Sequence, residues 1–419
     1  MGIVVMKFGG TSVADAERIR AVARRAISTQ KAGNKVVMVV SAMGDSTDVL
    51  VDLAKQITDN PPKREMDQLL ATGEQVTISL VAMSLEALGA KAISMTAGQI
   101  GIVTDDVHTK ARIKTIDVRR IHEHLDQGRI VIVAGFQGVT SDGAVTTLGR
   151  GGSNVTLVAI AAALHADVCE NYTDVDGIYT ADPRIVKNAR KIDTVSYDEM
   201  LELASLGASV LHNRAVEFAK KYNVPIHVRS SLNNSKGTMI VAETESMERI
   251  VVSGAALKDK LSRCTLRDLP NKPGVAARVF HTIATHNIVV DDIIQTISDN
   301  GKATVAFTVD LGDLGDAKKV VQGMCKDMGC LATFEDNMAK VSVVGVGMRV
   351  HTGVAERMFA ALAKAGVNIQ NITTSEIKIS CLISRDQGKE ALQIVHDAFD
   401  LGAKPKAAKK AVKKASKKA

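Results

Sequence analysis

Strand-like runs recur through the first 231 residues, at Ile3 to Phe8, Val36 to Ser41, Arg129 to Gly135, Asp167 to Tyr172 and Pro225 to Arg229. The four apolar residues Ile3 to Met6 have the pattern of a strand covered on both faces. Between the runs lie amphipathic stretches at Ala14 to Thr29, Lys63 to Leu88 and Asn154 to Leu164, with apolar residues at helical spacing. This alternation predicts an α/β domain built on a mostly parallel sheet with helices on its faces. Ligands of such sheets sit beyond the carboxyl ends of the strands, so the strand ends carry the chemistry.

The first strand ends in K-F-G-G-T-S-V. Gly9 and Gly10 lack a Cβ, so the backbone is free to turn with positive φ and bring its N–H groups against an anion. Thr11 or Ser12 is expected to cap a helix beginning near Ala14, and the helix start together with Lys7 attracts phosphate. The lysine precedes the glycines, so this is not the G-x-x-x-x-G-K-S/T loop. An ordinary strand-to-helix turn with a solvated lysine fits the same residues.

Later strand ends are also rich in glycine and polar residues. S-A-M-G-D-S-T places Ser41 and Thr47 on a loop leading into a helix, and T-T-L-G-R-G-G-S-N opens another helix at about Asn154. Arg150 in that second glycine loop offers a fork for carboxylate or phosphate. The stretch Y-T-D-V-D-G-I-Y-T-A-D-P-R supplies Asp174, Asp176 and Asp182. Two glycine loops and an acidic loop suit a nucleoside triphosphate with its metal. Well-capped helices and turns are the other reading of the same residues.

Residues Leu232 to Glu248 are polar enough to contain a domain boundary. Beyond them, Pro273 to Ile293 superposes on Thr352 to Ile372 at a constant offset of 79 residues, aligning Gly274 with Gly353, Arg278 with Arg357 and Phe280 with Phe359. Each copy reads as turn, helix, strand, followed by further strand and helix signals such as Ala303 to Val309 and Ala317 to Met328. Two β-α-β-β-α-β modules account for this.

Composition changes the picture little. At 419 residues, 46% hydrophobic and 24% charged, the chain is globular in character and long enough for two or three cores. It has no apolar run approaching a membrane span and no secretion signal, so a cytoplasmic location is expected. The five cysteines, Cys169, Cys264, Cys325, Cys330 and Cys381, have no C-x-x-C spacing and read as buried thiols rather than a disulfide framework or a zinc site. His122 and His124, two apart on a helix, face different ways and make no metal pair. The net charge of +7 is concentrated in residues 403–419, which carry eight lysines and no acid; subtracting these leaves −1 for the rest. A solvated tail, expected to be disordered, is the main reading of that run, and loose binding to nucleic acid or anionic surfaces is the minor one. The run has no aromatic residue for base stacking.

Together K-F-G-G-T-S-V, V-V-S-A-M-G-D-S-T-D, A-T-G-E-Q-V, I-V-A-G-F-Q-G, T-L-G-R-G-G-S, Y-T-D-V-D-G-I-Y-T-A-D-P-R and V-R-S-S resemble the monofunctional bacterial aspartate kinases of the amino-acid kinase superfamily. The resemblance covers residues 1 to about 402. It implies a kinase fold, a mostly parallel sheet sandwiched by helices, over residues 1–245. Two α+β ferredoxin-like ACT domains are implied over 246–339 and 340–402, with the tail at 403–419. It implies transfer of the ATP γ-phosphoryl group to the β-carboxylate of L-aspartate, with Mg²⁺, as the first step toward lysine, threonine and methionine. Lys7, Phe8, Gly9 and Gly10 are then expected at the phosphates. Ser41 and Thr47 face the aspartate side chain, Glu74 takes its ammonium, and Arg150 with Gly151, Gly152 and Ser153 takes its α-carboxylate. Thr173, Asp174, Tyr179 and Arg184 lie on the nucleotide side.

The ACT modules resemble sensors that bind lysine or threonine between them and inhibit the kinase. By position the effector contacts are Gly274, Val275, Ala276, Asp291 and Gln295 from the first copy, and Asn368, Ile369 and Ser375 from the second. A homo-oligomer paired through these domains is implied, as is a regulatory chain from an internal start at Met247. Three positions depart from the family pattern. Asn154 stands where the family carries a catalytic aspartate, Ser209 where some members carry a lysine, and Asn271 where an acid often precedes K-P-G. An amide at Asn154 orients partners but supplies no charge, so two functions stand: an active, feedback-inhibited kinase, or an ATP- and amino-acid-binding sensor with weakened catalysis.

Overall fold

The computed structural model describes residues 2–207, 210–243, 251–286, 288–298 and 301–403. Ser209, Met247, the expected boundary at 245/246 and the tail from Lys404 lie outside these residues.

The apolar strand Ile3–Phe8 sits inside an eight-stranded sheet ordered Thr194–Ser196, Thr238–Val241, Ile226–Ser230, Val168–Thr173, Ile3–Phe8, Lys35–Val40, Ile130–Ala134, Ala92–Met95. Every neighbour pair is parallel except Ile226–Ser230 with Thr238–Val241. Alternate residues feed two cores. Val4, Met6 and Phe8 pack with the helices Ala16–Lys31 and Lys63–Ala87, while Val5 packs with the helix Gly152–Ala163 on the other face. Each such fully buried aliphatic side chain contributes about 1.5–3 kcal/mol, which fixes the strand's register and therefore where Lys7 points. A smaller sheet, Ile113–Ile116, Ile102–Thr104, Gln137–Val139 and Val145–Thr147, is built from strands of three or four residues. The apolar-run reading did not include it, because runs that short carry almost no periodicity.

The helix after the first strand differs from expectation. Residues Gly10–Val13 form a 3₁₀ turn, and the α-helix begins at Ala16, capped by Asp15, whose carboxylate accepts the Arg18 N–H at 2.9 Å. Thr11 and Ser12 do not cap it; the Ser12 hydroxyl instead donates to Ser231 Oγ at 2.8 Å.

The repeat forms helices Val275–Thr285 and Val354–Lys364, each preceded by a glycine in left-handed conformation, Gly274 at φ 90° and Gly353 at φ 86°. The two modules do not divide cleanly. They share one six-stranded sheet, ordered Asp291–Ile297, Lys302–Asp310, Gly254–Pro270, Leu331–Val344, Lys378–Ser384, Asn371–Thr374. Gly254–Pro270 and Leu331–Val344 pair with each other along their length and serve both modules. The expected boundary at 339/340 therefore falls inside the unbroken strand Leu331–Val344, whose second-module half pairs with Gly254 to Lys258 at the start of the first module's own first strand.

Buried polar links join the kinase unit to these modules. Glu199 accepts the Val346 N–H at 3.1 Å and the Ser253 hydroxyl at 2.5 Å, and the Thr180 hydroxyl meets His396 Nε2 at 3.0 Å.

Candidate functional site

The turn after the first strand is shaped by contact rather than by left-handed backbone. Gly9 is extended at φ −72°, and Gly10 is not among the glycines with positive φ. A Cβ on Gly10 would stand 2.9 Å from the Ala42 carbonyl oxygen and 3.0 Å from that of Gly44, and one on Gly9 would stand 3.3 Å from Lys7 Nζ. The pair is required because the Ser41 loop and the lysine amine occupy the space. Ser41 donates its N–H to the Phe8 carbonyl, and Gly44 donates to that of Gly10, both at 3.1 Å. The Phe8 side chain faces away from Lys7 and stacks on Tyr172 in the opposite core, with ring centroids 4.8 Å apart. Only its backbone reaches the site.

Glu74 comes to the same loop from the helix Lys63–Ala87. Gly73 lets that helix close on Ala42, since a Cβ there would lie 2.8 Å from Ala42 Cβ. Glu74 Oε1 accepts the Ala42 N–H at 3.0 Å, Oε2 has no partner, and burial pushes the carboxyl up to about 7. Lys7 is buried too, and burial holds its ammonium down at about 8 against the opposing pull of Asp174. A buried ammonium beside Gly9 and a half-satisfied buried carboxylate on the Ser41 loop, at the ends of neighbouring parallel strands, suit a zwitterion beside an anion. Thr47 sits in the first turn of the helix Ser46–Ile57.

The second glycine turn is built in the same way. Gly151 has φ 72° and caps the helix Gly152–Ala163 without a side-chain hydrogen bond; a Cβ on it would collide with His212 at 2.3 Å. Gly152 packs under Phe136, a non-glycine residue at φ 69°. The N–H groups of Gly152, Asn154 and Val155 bond to carbonyls within the turn, so the helix start offers fewer open donors than the sequence suggested. Ser153 is buried against Gly135, where a Cβ would stand 2.7 Å from its hydroxyl oxygen. Arg150 is exposed and has no ion-pair partner among the described residues.

The acidic loop separates into three parts. Asp182 is forked by Arg184, with Nη2 to Oδ2 at 2.7 Å, and Asp176 is held by Lys191 and by the Tyr179 hydroxyl at 2.7 Å. Arg184 and Tyr179 are thus tied to acids of their own loop. Asp174 alone of the three acids has no cation in ion-pair contact among the described residues, and Thr173 donates to it at 2.9 Å. No cluster of three metal-ligating side chains occurs among the described residues.

Two buried residues join the site without having been singled out by motif. Asn171 is fully buried and pairs in register with Lys7, so its side chain projects from the same sheet face, yet neither amide atom has a partner. Asn154 likewise leaves its Oδ1 buried and unpartnered. The signal for Asn171 is a carboxamide inside a central strand, next to Glu170. Asp67, the second, is fully buried on the Glu74 helix.

The effector candidates separate. Gly274, Val275, Ala276 and Gln295 line one cavity of about 360 Å³ together with Asn271 and Lys272. Asp291 lies outside it and pairs with Lys340 at 2.7 Å. Asn368, Ile369 and Ser375 do not line this cavity; Ser375 donates its N–H to the Lys378 carbonyl at 2.8 Å.

Residues 2–230 match the amino acid kinase family, and residues 265–322 and 341–399 each match the ACT domain. An aspartokinase of Geobacillus stearothermophilus is 52% identical over 401 residues, covering 96% of this chain and 98% of that relative. The crystal structure of E. coli aspartokinase III in complex with aspartate and ADP has a TM-score of 0.79 at 27% identity, covering 94% of this chain and 99% of the other. The same enzyme in complex with lysine and aspartate has a TM-score of 0.77 at 27% identity, covering 95% and 99%.

Proposed function

The chain belongs to the amino acid kinase family and, within it, to the aspartokinases, and from that membership we propose how its residues move a phosphoryl group from ATP to the side-chain carboxylate of L-aspartate. The observation that carries this reading is a buried Lys7 near the end of one strand and a half-satisfied, buried Glu74 bonded to the loop that ends the neighbouring parallel strand. Glu74 takes the substrate ammonium through Oε2, Arg150 takes the α-carboxylate, and Ser41 and Thr47 orient the side-chain carboxylate. Lys7, with the Gly9–Gly10 backbone, holds the transferred phosphoryl group. The acceptor is already ionised, so no general base is needed, and catalysis rests on alignment and charge neutralisation.

The ADP of the E. coli complex supports ATP as donor. Magnesium, when bound, would neutralise phosphate charge, and Asp174 is the acid of the Thr173–Arg184 loop left to hold it. Thr173 lies on the nucleotide side, with Tyr179 and Arg184 ordering the loop rather than reaching out.

Lysine or threonine is the proposed inhibitor, supported by the lysine complex of E. coli aspartokinase III and by the cavity beside Gly274. Pairing of two copies through the ACT sheet is supported by its edge strand Asp291–Ile297, which leaves Ile293 and Ile297 exposed. A cytoplasmic location suits the free, buried cysteines, and no helix among the described residues is long and apolar enough to cross a membrane.

Trapping the acyl phosphate as its hydroxamate, with and without each amino acid, tests the whole reading. Aspartate-dependent hydroxamate that falls on adding lysine or threonine is the expected result. No product from the wild-type chain, with activity restored by Asn154→Asp, would instead establish the sensor.

A further inference from the structure

Asp67 is a fully buried carboxylate on the helix that carries Glu74, about two turns before it, and no cation from Lys or Arg reaches it among the described residues. Its oxygens collect donors from two segments distant in sequence. Thr147 Oγ1 donates to Oδ1 at 2.5 Å, and the Thr109 N–H donates to Oδ1 and Oδ2 at 3.1 and 3.0 Å. His108 Nδ1 lies 2.7 Å from Oδ2.

Both segments lead to Arg150. Thr147 is three residues before it on the chain. Thr109 is β-branched yet held at φ 69°, a conformation such residues rarely adopt unless their surroundings impose it. Its carbonyl oxygen lies 2.9 Å from where a Cβ on Gly149 would stand, so Thr109 packs directly on the residue before Arg150. Arg214 ties the same two segments together, donating to the Leu148 and Ala111 carbonyls at 2.6 Å each, and the Ala111 N–H donates to the Thr147 carbonyl at 2.9 Å. The Arg150 turn is thus a template shaped from outside; Asp67, like Arg214, binds both of its walls, and Asp67 also shares a helix with Glu74.

We propose that Asp67 is a positioning residue for the amino-acid substrate: through Thr109 and Thr147 it sets the Gly149–Gly152 turn so that Arg150 and Glu74 stand at the spacing of an α-carboxylate and an α-ammonium. This deepens the substrate reading above and rests on Arg150 holding the α-carboxylate. Asparagine at position 67 keeps an oxygen for both threonines but puts an NH2 donor where Oδ2 meets the Thr109 N–H and His108 Nδ1, and it removes the charge that strengthens the remaining bonds.

The test compares Asp67→Asn, Arg150→Ala and the double variant in the full-length chain by steady-state kinetics, with thermal unfolding alongside. Asp67→Asn is expected to raise KM for aspartate about tenfold or more while KM for ATP stays within about twofold, the pattern of a displaced binding group. The double variant is expected to be no worse than Arg150→Ala, because residues acting as a unit are non-additive. Thr147→Val is expected to reproduce part of the rise and Thr147→Ser to restore it, which keeps the test open should Asp67→Asn fail to fold. Losses at Asp67 that are additive with Arg150→Ala, or that lower the unfolding temperature and kcat with both KM values unchanged, overturn the inference while leaving Arg150's role intact. An Arg150→Ala variant with unchanged KM for aspartate overturns the Arg150 reading itself, and the inference with it.

Discussion

Lys7 and Asn171 face one another across paired parallel strands, in register, and both are buried. The lysine has Asp174 to favour its charge, whereas the Asn171 amide has no partner for either of its polar atoms. An unpaired buried amide costs about 1–3 kcal/mol. Replacing Asn171 with valine, which suits a central strand, is expected to stabilise the unliganded protein by an amount in that range. Denaturant unfolding checks this, and destabilisation would show that the amide has a partner.

Glu74 gives aspartate binding an acidic limb. Its carboxyl is pushed up to about 7 by burial, so the ionised form needed to take an ammonium is lost as pH falls below that value. The expected outcome is a kcat/KM for aspartate that falls about tenfold per pH unit below 7, since this parameter reports groups of the free enzyme. A flat profile down to pH 5.5 would remove Glu74 from the substrate site.

The same residue has a stability consequence of opposite sign. A carboxyl whose folded pKa lies above its unfolded value of 4.5 gives stability that is complete below pH 4.5 and is lost as pH rises through about 7. Glu74→Gln is therefore expected to raise the unfolding temperature at pH 8 but not at pH 4.5. It should also weaken aspartate binding by roughly 10- to 100-fold, the scale of a lost charged hydrogen bond. Thermal scans at both pH values, with aspartate titrations, measure the two effects.

Lys7 sets a basic limb on the other substrate. Burial holds its ammonium at about 8, so above that pH the free enzyme loses the charge that meets the phosphates. The kcat/KM for ATP is expected to fall about tenfold per pH unit above 8, and Lys7→Arg, which cannot lose its proton in this range, to abolish the limb whatever its effect on rate.

Lys340 lies within the shared sheet with its side chain 3% exposed, bonded to Asp291 and Asp292 at 2.7 and 2.9 Å. Asp292 is also buried and accepts from Thr308 and Thr373, so the cluster spans both ACT modules. Removing the cation by Lys340→Met leaves the Asp292 charge uncompensated, and the expected cost is about 3–5 kcal/mol. Equilibrium unfolding of the full chain measures it, and a loss below about 1 kcal/mol would show that the pair is solvated.

The order of strands and helices in the kinase unit, the glycine turns at their ends and the repeated helix after Gly274 and Gly353 were legible in the sequence. They follow from hydrophobic period and from residues whose backbone preferences act within a few positions. What the glycines were for was not legible. Gly9 and Gly10 read as hinges for left-handed backbone, but tertiary structure makes Gly9 clearance for the Lys7 amine and Gly10 clearance for a loop more than thirty residues away. Likewise the helix cap moved to Asp15, and the two ACT repeats became one sheet because the long strand Gly254–Pro270 pairs along its length with Leu331–Val344.

Asp67 and Asn171 show the limit most clearly. Asp67 sits between Met66 and Gln68 and Asn171 between Glu170 and Tyr172, and nothing within ten positions says what either meets. Asp67 acquires its meaning from a threonine 80 residues away, and Asn171 from its register beside Lys7. Local periodicity determines which elements form and which face is buried. Only folding decides which polar groups are enclosed together, because that enclosure, not the residue type, sets their charge and their partners.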